Sequence, residues 1–339
     1  MCAARALLAI ALACFVLQQA GGRQVLAESV AAAQGVSSSP VLPPLPPPPP
    51  PPPLPWDPAL LKPRPRTDLA TWDVIHRRLL KLKLGYKAAG GLDVAAYGDS
   101  ILMTLLGDPL TGGPLLGWGA SKAAWDRAFG GRRAGIFAIG GDRPANLLWR
   151  LRHGEGPRGL HPRGILLLIG VNDILPMLAL YPGNDTLAAQ FASAGIQLCV
   201  RALQKQAPNS LVIVLGLLPF QPPPPDFKPG AYDRAVRLTN RATRQWIQQQ
   251  NSLLLKYKDC GLLFLLPNST MLNSTLVPDG IHPSGPGAPV LVGCMRRALA
   301  EWGIAVRRWP APPPGPTDAA SHASAGPGHP LPTLTLPVA

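Results

Sequence analysis

Short, wholly apolar runs alternate along the chain with longer stretches whose apolar positions recur at helical spacing. The runs are LDVAAYG (92–98), AGIFAIGG (134–141), GILLLIG (164–170), LVIVLGLLP (211–219) and GLLFLLP (261–267). None of them alternates between apolar and polar positions. Each therefore reads as a strand buried on both faces, the environment of a parallel sheet covered by helices. The helical patterns are PANLLWRLRHG (144–154), TLAAQFASAGIQLCVRALQKQ (186–206) and AYDRAVRLTNRATRQWIQQQ (231–250), with PVLVGCMRRALAEWG (289–303) after the fifth run. This alternation predicts an α/β domain: a doubly wound, five-stranded parallel sheet with helices on both faces.

Composition sets the limits of that domain. The 43 prolines are concentrated at residues 40–66, with an unbroken run from Pro46 to Pro53, and again in the Pro/Ala/Ser-rich stretch 309–339. Proline lacks a backbone donor and has a fixed φ, so such stretches favour an extended helix over a packed core. Pro43 to Pro55 would act as a stiff spacer of roughly 40 Å, at ~3.1 Å per residue. The expected organisation is a leader at 1–27, a proline-rich linker at 28–66, a folded domain at 67–308 and an unstructured tail at 309–339. In the leader, Arg5 precedes an apolar run from Ala6 to Leu17, followed by small residues. That run is too short to span a bilayer and suits a secretory signal. The lack of acidic residues before Glu28 keeps an organelle transit peptide as the alternative. Sequons at Asn184, Asn268 and Asn273 favour the secretory route.

Once the leader is removed, Cys199, Cys260 and Cys294 remain, enough for one internal disulfide at most. Cys199 falls in an apolar helical pattern and reads as buried, and the fold is not expected to lean on disulfides. The formal charge is +14, much of it between Lys62 and Lys87 and in the pairs Arg296–Arg297 and Arg307–Arg308. No nucleic-acid motif accompanies it. Weak attraction to an anionic wall polymer or a membrane surface is the expected electrostatic partnership. The sequence leaves the oligomeric state open, a homodimer among the options.

Polar residues collect at the ends of the predicted strands: Gly98-Asp99-Ser100, Gly140-Gly141-Asp142, Gly170-Val171-Asn172-Asp173, and Asp279 with His282 in VPDGIHPSG. In open α/β sheets, chemistry sits beyond the carboxyl ends of the strands. A serine hydroxyl is a weak nucleophile. It needs a base in hydrogen-bond reach, a third group to fix the base's tautomer, and donors for the oxyanion that forms. Ser100, His282 and Asp279 can supply the triad. The N–H groups of Ser100 and Gly141 and the side-chain amide of Asn172 can supply the donors. Asp99 and Asp173 read as structural hydrogen-bonding groups, and His153 and His161 as ordinary loop histidines.

The order GDS, IGGD, GVND, DGIH resembles the SGNH (GDSL-type) hydrolases over roughly residues 90–302. The stretch IGGDRPANLLWRLRHGE is similar to the catalytic subunits of intracellular platelet-activating factor acetylhydrolase. The resemblance implies a flavodoxin-like fold and a serine esterase with Ser100 as nucleophile, Asp279 and His282 completing the triad, and Gly141 and Asn172 in the oxyanion hole. It implies neither cofactor nor metal. Two departures stand out: Ile136 and Ala138 occupy positions where the family usually has Asn-x-Gly, and QPPPPDFKPG (221–230) replaces a polar loop. Ile101, Val171 and Ile281 flank the catalytic groups, and their family counterparts line the acyl pocket. All three are β-branched, so they are expected to restrict the site to short acyl chains. The expected substrate is a short acyl ester, most simply an acetyl ester, of a lipid or glycan. An O-acyltransferase with the same triad, and a non-catalytic binding module, are the competing readings.

Overall fold

The computed structural model describes residues 55–221 and 233–310. The leader, most of the proline-rich linker, residues 222–232 and nearly all of the tail lie outside the described residues.

The chain enters the domain earlier than residue 67. A single 3₁₀ turn, Pro58–Leu61, is capped by the Asp57 carboxylate. Trp56 and Leu61 are both buried, and Trp56 meets the edge of Phe191 at 5.7 Å. These apolar side chains place the last part of the expected linker in the core. At the other end, Trp309 stacks on Tyr86 and bonds the Gly131 carbonyl, so the packed unit also runs just past 308.

Helix α1 (Trp72–Ala88) lies in the basic segment and buries Trp72, Ile75, His76 and Leu79 along one stripe. Strand β1 (Val94–Gly98) leads into α2 (Ser100–Leu106), and α3 (Gly119–Phe129) precedes β2 (Ala134–Ala138). Helix α4 (Pro144–Arg150) runs on into a five-residue π-type turn, Leu151–Glu155, broken at Gly154 by a φ of 105°. Strand β3 (Gly164–Leu168) is followed by α5 (Val171–Leu180) and α6 (Asp185–Gln206). Then come β4 (Leu211–Leu215), α7 (Asp233–Gln249), β5 (Leu255–Lys258) and α8 (Gly287–Glu301).

The strands form one parallel sheet in the order β2-β1-β3-β4-β5. This is the flavodoxin-like doubly wound order, whose direction of winding reverses between β1 and β3. Strands β1 to β4 are buried at every position, as their unbroken apolar runs require. The fifth strand is not where the apolar pattern put it. Residues 261–264 of GLLFLLP form a 3₁₀ turn, with Leu262 71% exposed, whereas the preceding LKYK pairs with β4. At this edge of the sheet the strand is only partly buried, so a partly polar tetrapeptide suffices there.

Cys260 and Cys294 form a disulfide that ties the end of the sheet to α8. Cys199 is buried in α6, as its apolar setting suggested.

Candidate active site

Strand β1 delivers Ser100 to the first position of α2. The preceding Asp99 is the N-cap, its Oδ1 accepting from the Ile101 N–H at 3.1 Å. Cap and candidate nucleophile are thus neighbouring residues with separate roles.

The loop before α8 brings His282 to Ser100. His282 Nε2 lies 2.8 Å from Ser100 Oγ, and His282 Nδ1 lies 2.6 Å from Asp279 Oδ2. The other carboxylate oxygen, Asp279 Oδ1, accepts from the N–H groups of Ile281 (2.9 Å) and His282 (2.7 Å). Burial pushes the Asp279 carboxyl up, but the His282 ring and these backbone donors outweigh it and hold the group below its usual range. An ionised Asp279 fixes a proton on Nδ1 and leaves Nε2 free to take one from Ser100. Two further contacts keep the loop in place. Gln221 donates to the Gly280 carbonyl at 2.8 Å, and the Trp118 ring meets the His282 ring edge-on at 5.2 Å.

Gly140 follows β2 closely enough to Ser100 that a Cβ built on it would lie 3.8 Å from the Ser100 Cβ. Gly141 has a φ of +73°, a left-handed conformation that costs glycine little. Among the described residues, neither the Gly141 N–H nor the Ser100 N–H meets an acceptor. Asn172, in the first turn of α5, donates one amide proton to the Asp142 carbonyl at 2.9 Å and keeps the other. Gly141 and Asn172 line the same cleft, of about 530 Å3. Gly141 and Asn172 thus share one cleft, with the Gly141 N–H and one Asn172 amide proton free, the kind of donor an oxyanion hole needs.

The three expected acyl-pocket residues fare differently. Ile101 and Val171 are 2% and 4% exposed and belong to the hydrophobic core. Each follows a strand end into the first turn of a helix whose apolar face packs on the sheet, so the β-branched side chains serve packing. Ile281 alone is partly exposed, beside His282.

Sequence reasoning missed the framework behind the site. Arg150 is fully buried and reaches three ways into it. Its Nε bonds Asp142 Oδ2 at 2.7 Å, its Nη1 pairs with Glu155, and its Nη2 donates to the Gly98 carbonyl at 3.1 Å. Trp72 Nε1 donates to Asp142 Oδ1 at 2.7 Å, and His76 pairs with Glu155. Asp142 thus joins the end of β2 to Asn172 through its carbonyl and to α1 and α4 through its carboxylate. The signal in the sequence was the charged pair Arg150 and Glu155 in the helical stretch that follows β2. Arg66 was also missed. Its Nη1 donates to the Gly140 carbonyl at 2.5 Å, which lays the guanidinium over Gly141.

No group of three or more His, Cys, Asp or Glu suited to a metal occurs among the described residues. His153 stacks on Trp149 at 3.8 Å instead.

Residues 96–289, more than half of the chain, match the GDSL-like lipase/acylhydrolase family. A 95-residue stretch is 37% identical to platelet-activating factor acetylhydrolase IB subunit alpha2 of Gallus gallus, covering 28% of this chain and 36% of that one. A stretch of the same length is 33% identical to the alpha1 subunit of Rattus norvegicus, with the same coverage. The match thus spans about a third of the length of these relatives. Among solved structures, a GDSL-like lipase from Bacteroides thetaiotaomicron is similar, with a TM-score of 0.48 and 17% identity over 66% of this chain and 98% of that one. An acetylxylan esterase from Geobacillus stearothermophilus gives a TM-score of 0.44 at 19% identity, over 63% of this chain and 96% of that one. With a match across most of the folded domain, the chain belongs to the GDSL-like lipase/acylhydrolase family.

Proposed function

We propose that the protein is a serine esterase that removes short acyl groups, acetyl first among them, from a lipid or glycan through an acyl-enzyme on Ser100. The relay from Ser100 Oγ through His282 to Asp279, at 2.8 and 2.6 Å, carries this reading. His282 Nε2 takes the hydroxyl proton as Oγ attacks the ester carbonyl. The negative charge that develops on the carbonyl oxygen is met by the free N–H groups of Ser100 and Gly141 and by the second amide proton of Asn172. Collapse of this intermediate expels the alcohol, which leaves with the proton held by His282. Water then attacks the acyl-enzyme, gives its proton to His282, and releases the acid with Ser100 restored. The acetyl preference is supported by the relatives' name, acetylhydrolase, and a secretory route by the Cys260–Cys294 disulfide, a bond of oxidising compartments.

The test is labelling with a fluorophosphonate together with hydrolysis of p-nitrophenyl acetate, butyrate and octanoate. Ser100→Ala should abolish labelling and lower kcat on the order of 10⁶-fold. In the wild type, kcat/KM should fall from acetate to octanoate. Hydrolysis undiminished by Ser100→Ala would sink the mechanism, and a preference for octanoate would sink the short-acyl assignment.

A further inference from the structure

The cleft that holds Gly141 and Asn172 is also lined by Arg64, Arg66 and Arg143. Among the described residues its only lining carboxylate is Asp68, and that group is already engaged: Arg66 forks onto it through Nε (2.9 Å) and Nη2 (2.7 Å). Three arginines against one aspartate leave two positive charges in the cleft. Among the described residues, neither Arg64 nor Arg143 takes part in an ion pair. Asp173, which interacts electrostatically with both, is buried with its carboxyl raised to about 7, so it is a poor counter-ion.

The backbones that carry these two arginines are tied together by one buried side chain. Asn146 is 5% exposed; its Oδ1 accepts from the Arg143 N–H at 2.9 Å and its Nδ2 donates to the Arg64 carbonyl at 3.2 Å. The Arg64 N–H also bonds the Ala145 carbonyl at 3.3 Å. One amide thus sets both backbones from which the guanidinium groups reach the cleft. Guanidinium groups without an ion-pair partner, carried on anchored backbone, suit phosphate or carboxylate, which they bind through paired N–H donors.

We infer that this cleft is a subsite for an anionic group on the alcohol portion of the substrate, so that the ester cleaved is that of a phosphate- or carboxylate-bearing alcohol. The inference rests on the esterase reading above. If the acyl group is short, the cleft of about 530 Å3 beside the oxyanion donors falls to the alcohol portion.

The experiment compares kcat/KM for 3-acetoxybenzoate and 3-acetoxyphenyl phosphate with that for the neutral methyl 3-acetoxybenzoate, each divided by its rate in hydroxide. At low ionic strength the anionic esters should be favoured by about tenfold or more, the scale of one hydrogen bond to a charged group. The ratio should fall to about one in Arg64→Gln/Arg143→Gln and in the wild type at high salt, where the Debye length shrinks to ~3 Å. A loss of fold would lower all three rates alike and leave the ratio intact, so a persistent ratio in the variant overturns the assignment. So does a ratio of one in a wild type that hydrolyses the methyl ester through Ser100. If no ester is cleaved in a Ser100-dependent way, the esterase reading itself fails and takes the subsite with it.

Discussion

Asp99 sits one residue before the candidate nucleophile, fully buried, with one oxygen on the Ile101 N–H and the other, Oδ2, without a partner among the described residues. Burial raises its carboxyl to about 7, against the pull of that N–H and of His282. The folded state therefore holds a proton that the unfolded chain releases near pH 4, and the sign follows from this. The group's contribution to stability is complete below pH 4 and is lost as pH rises to about 7. Asp99→Asn keeps the cap, since Asn is as good an N-cap as Asp, but removes the titration. Urea midpoints measured between pH 5 and 8 should fall less steeply with pH in the variant than in the wild type. Parallel profiles would show that Asp99 does not titrate in this window. The sequence pattern identified Asp99 as structural but gave no hint of its burial. Arg66 was harder still: its target, Gly140, lies 74 residues away, and proline-rich surroundings made its segment look like linker.

Among the elements, the join between α4 and its π-type turn deserves the closest test. Arg150, Asp142 and Glu155 are wholly buried, and the arginine is the common partner of both acids. Arg150→Met would leave two carboxylates without their cation, and breaking a buried pair in this way costs about 3–5 kcal/mol. Chemical denaturation should show that loss, and kcat should fall with it, because the Asp142 carbonyl holds Asn172. A variant of wild-type stability would mean that the acids simply take up protons. Strands β1 to β4 were legible because both faces are buried and the apolar run is continuous. The edge strand was not, because Lys256 and Lys258 interrupt its apolar pattern while the more apolar GLLFLLP beside it spends its leucines on solvent. Helix α1 escaped notice for a related reason. Its stripe of Trp72, Ile75, His76 and Leu79 has helical spacing, but dense positive charge on the other faces dominates the segment.

For the whole molecule, the disulfide matters more than the sequence suggested. Cys260 and Cys294 are 34 residues apart, and the loop they close contains both Asp279 and His282. Closing a loop of this length restricts the unfolded chain by about 4 kcal/mol in the chain-entropy account. Thermal unfolding with and without reductant should show a clear drop in Tm, as should Cys260→Ser. Equal melting temperatures would mean that the bond is dispensable. Three thiols permitted one bridge, but spacing alone could not say which pair. The candidate site was readable because Ser100, Gly141 and Asn172 each stand just beyond a strand end, where a parallel sheet of this order gathers polar residues at the reversal between β1 and β3, while Asp279 and His282 come from the loop before α8 and were legible only as a motif.

Ser100 and His282 are 182 residues apart. At ribosomal speeds of 5–20 residues per second, roughly 10 to 40 s separate the synthesis of the two. Throughout that interval the serine is an ordinary alcohol, with no imidazole to draw off its proton. On the proposed mechanism, reactivity toward esters would arrive only after His282 is made, and a chain ended before it would be chemically silent. If the proposed activity holds, hydrolysis of a simple acetate would serve as a clock for completed folding.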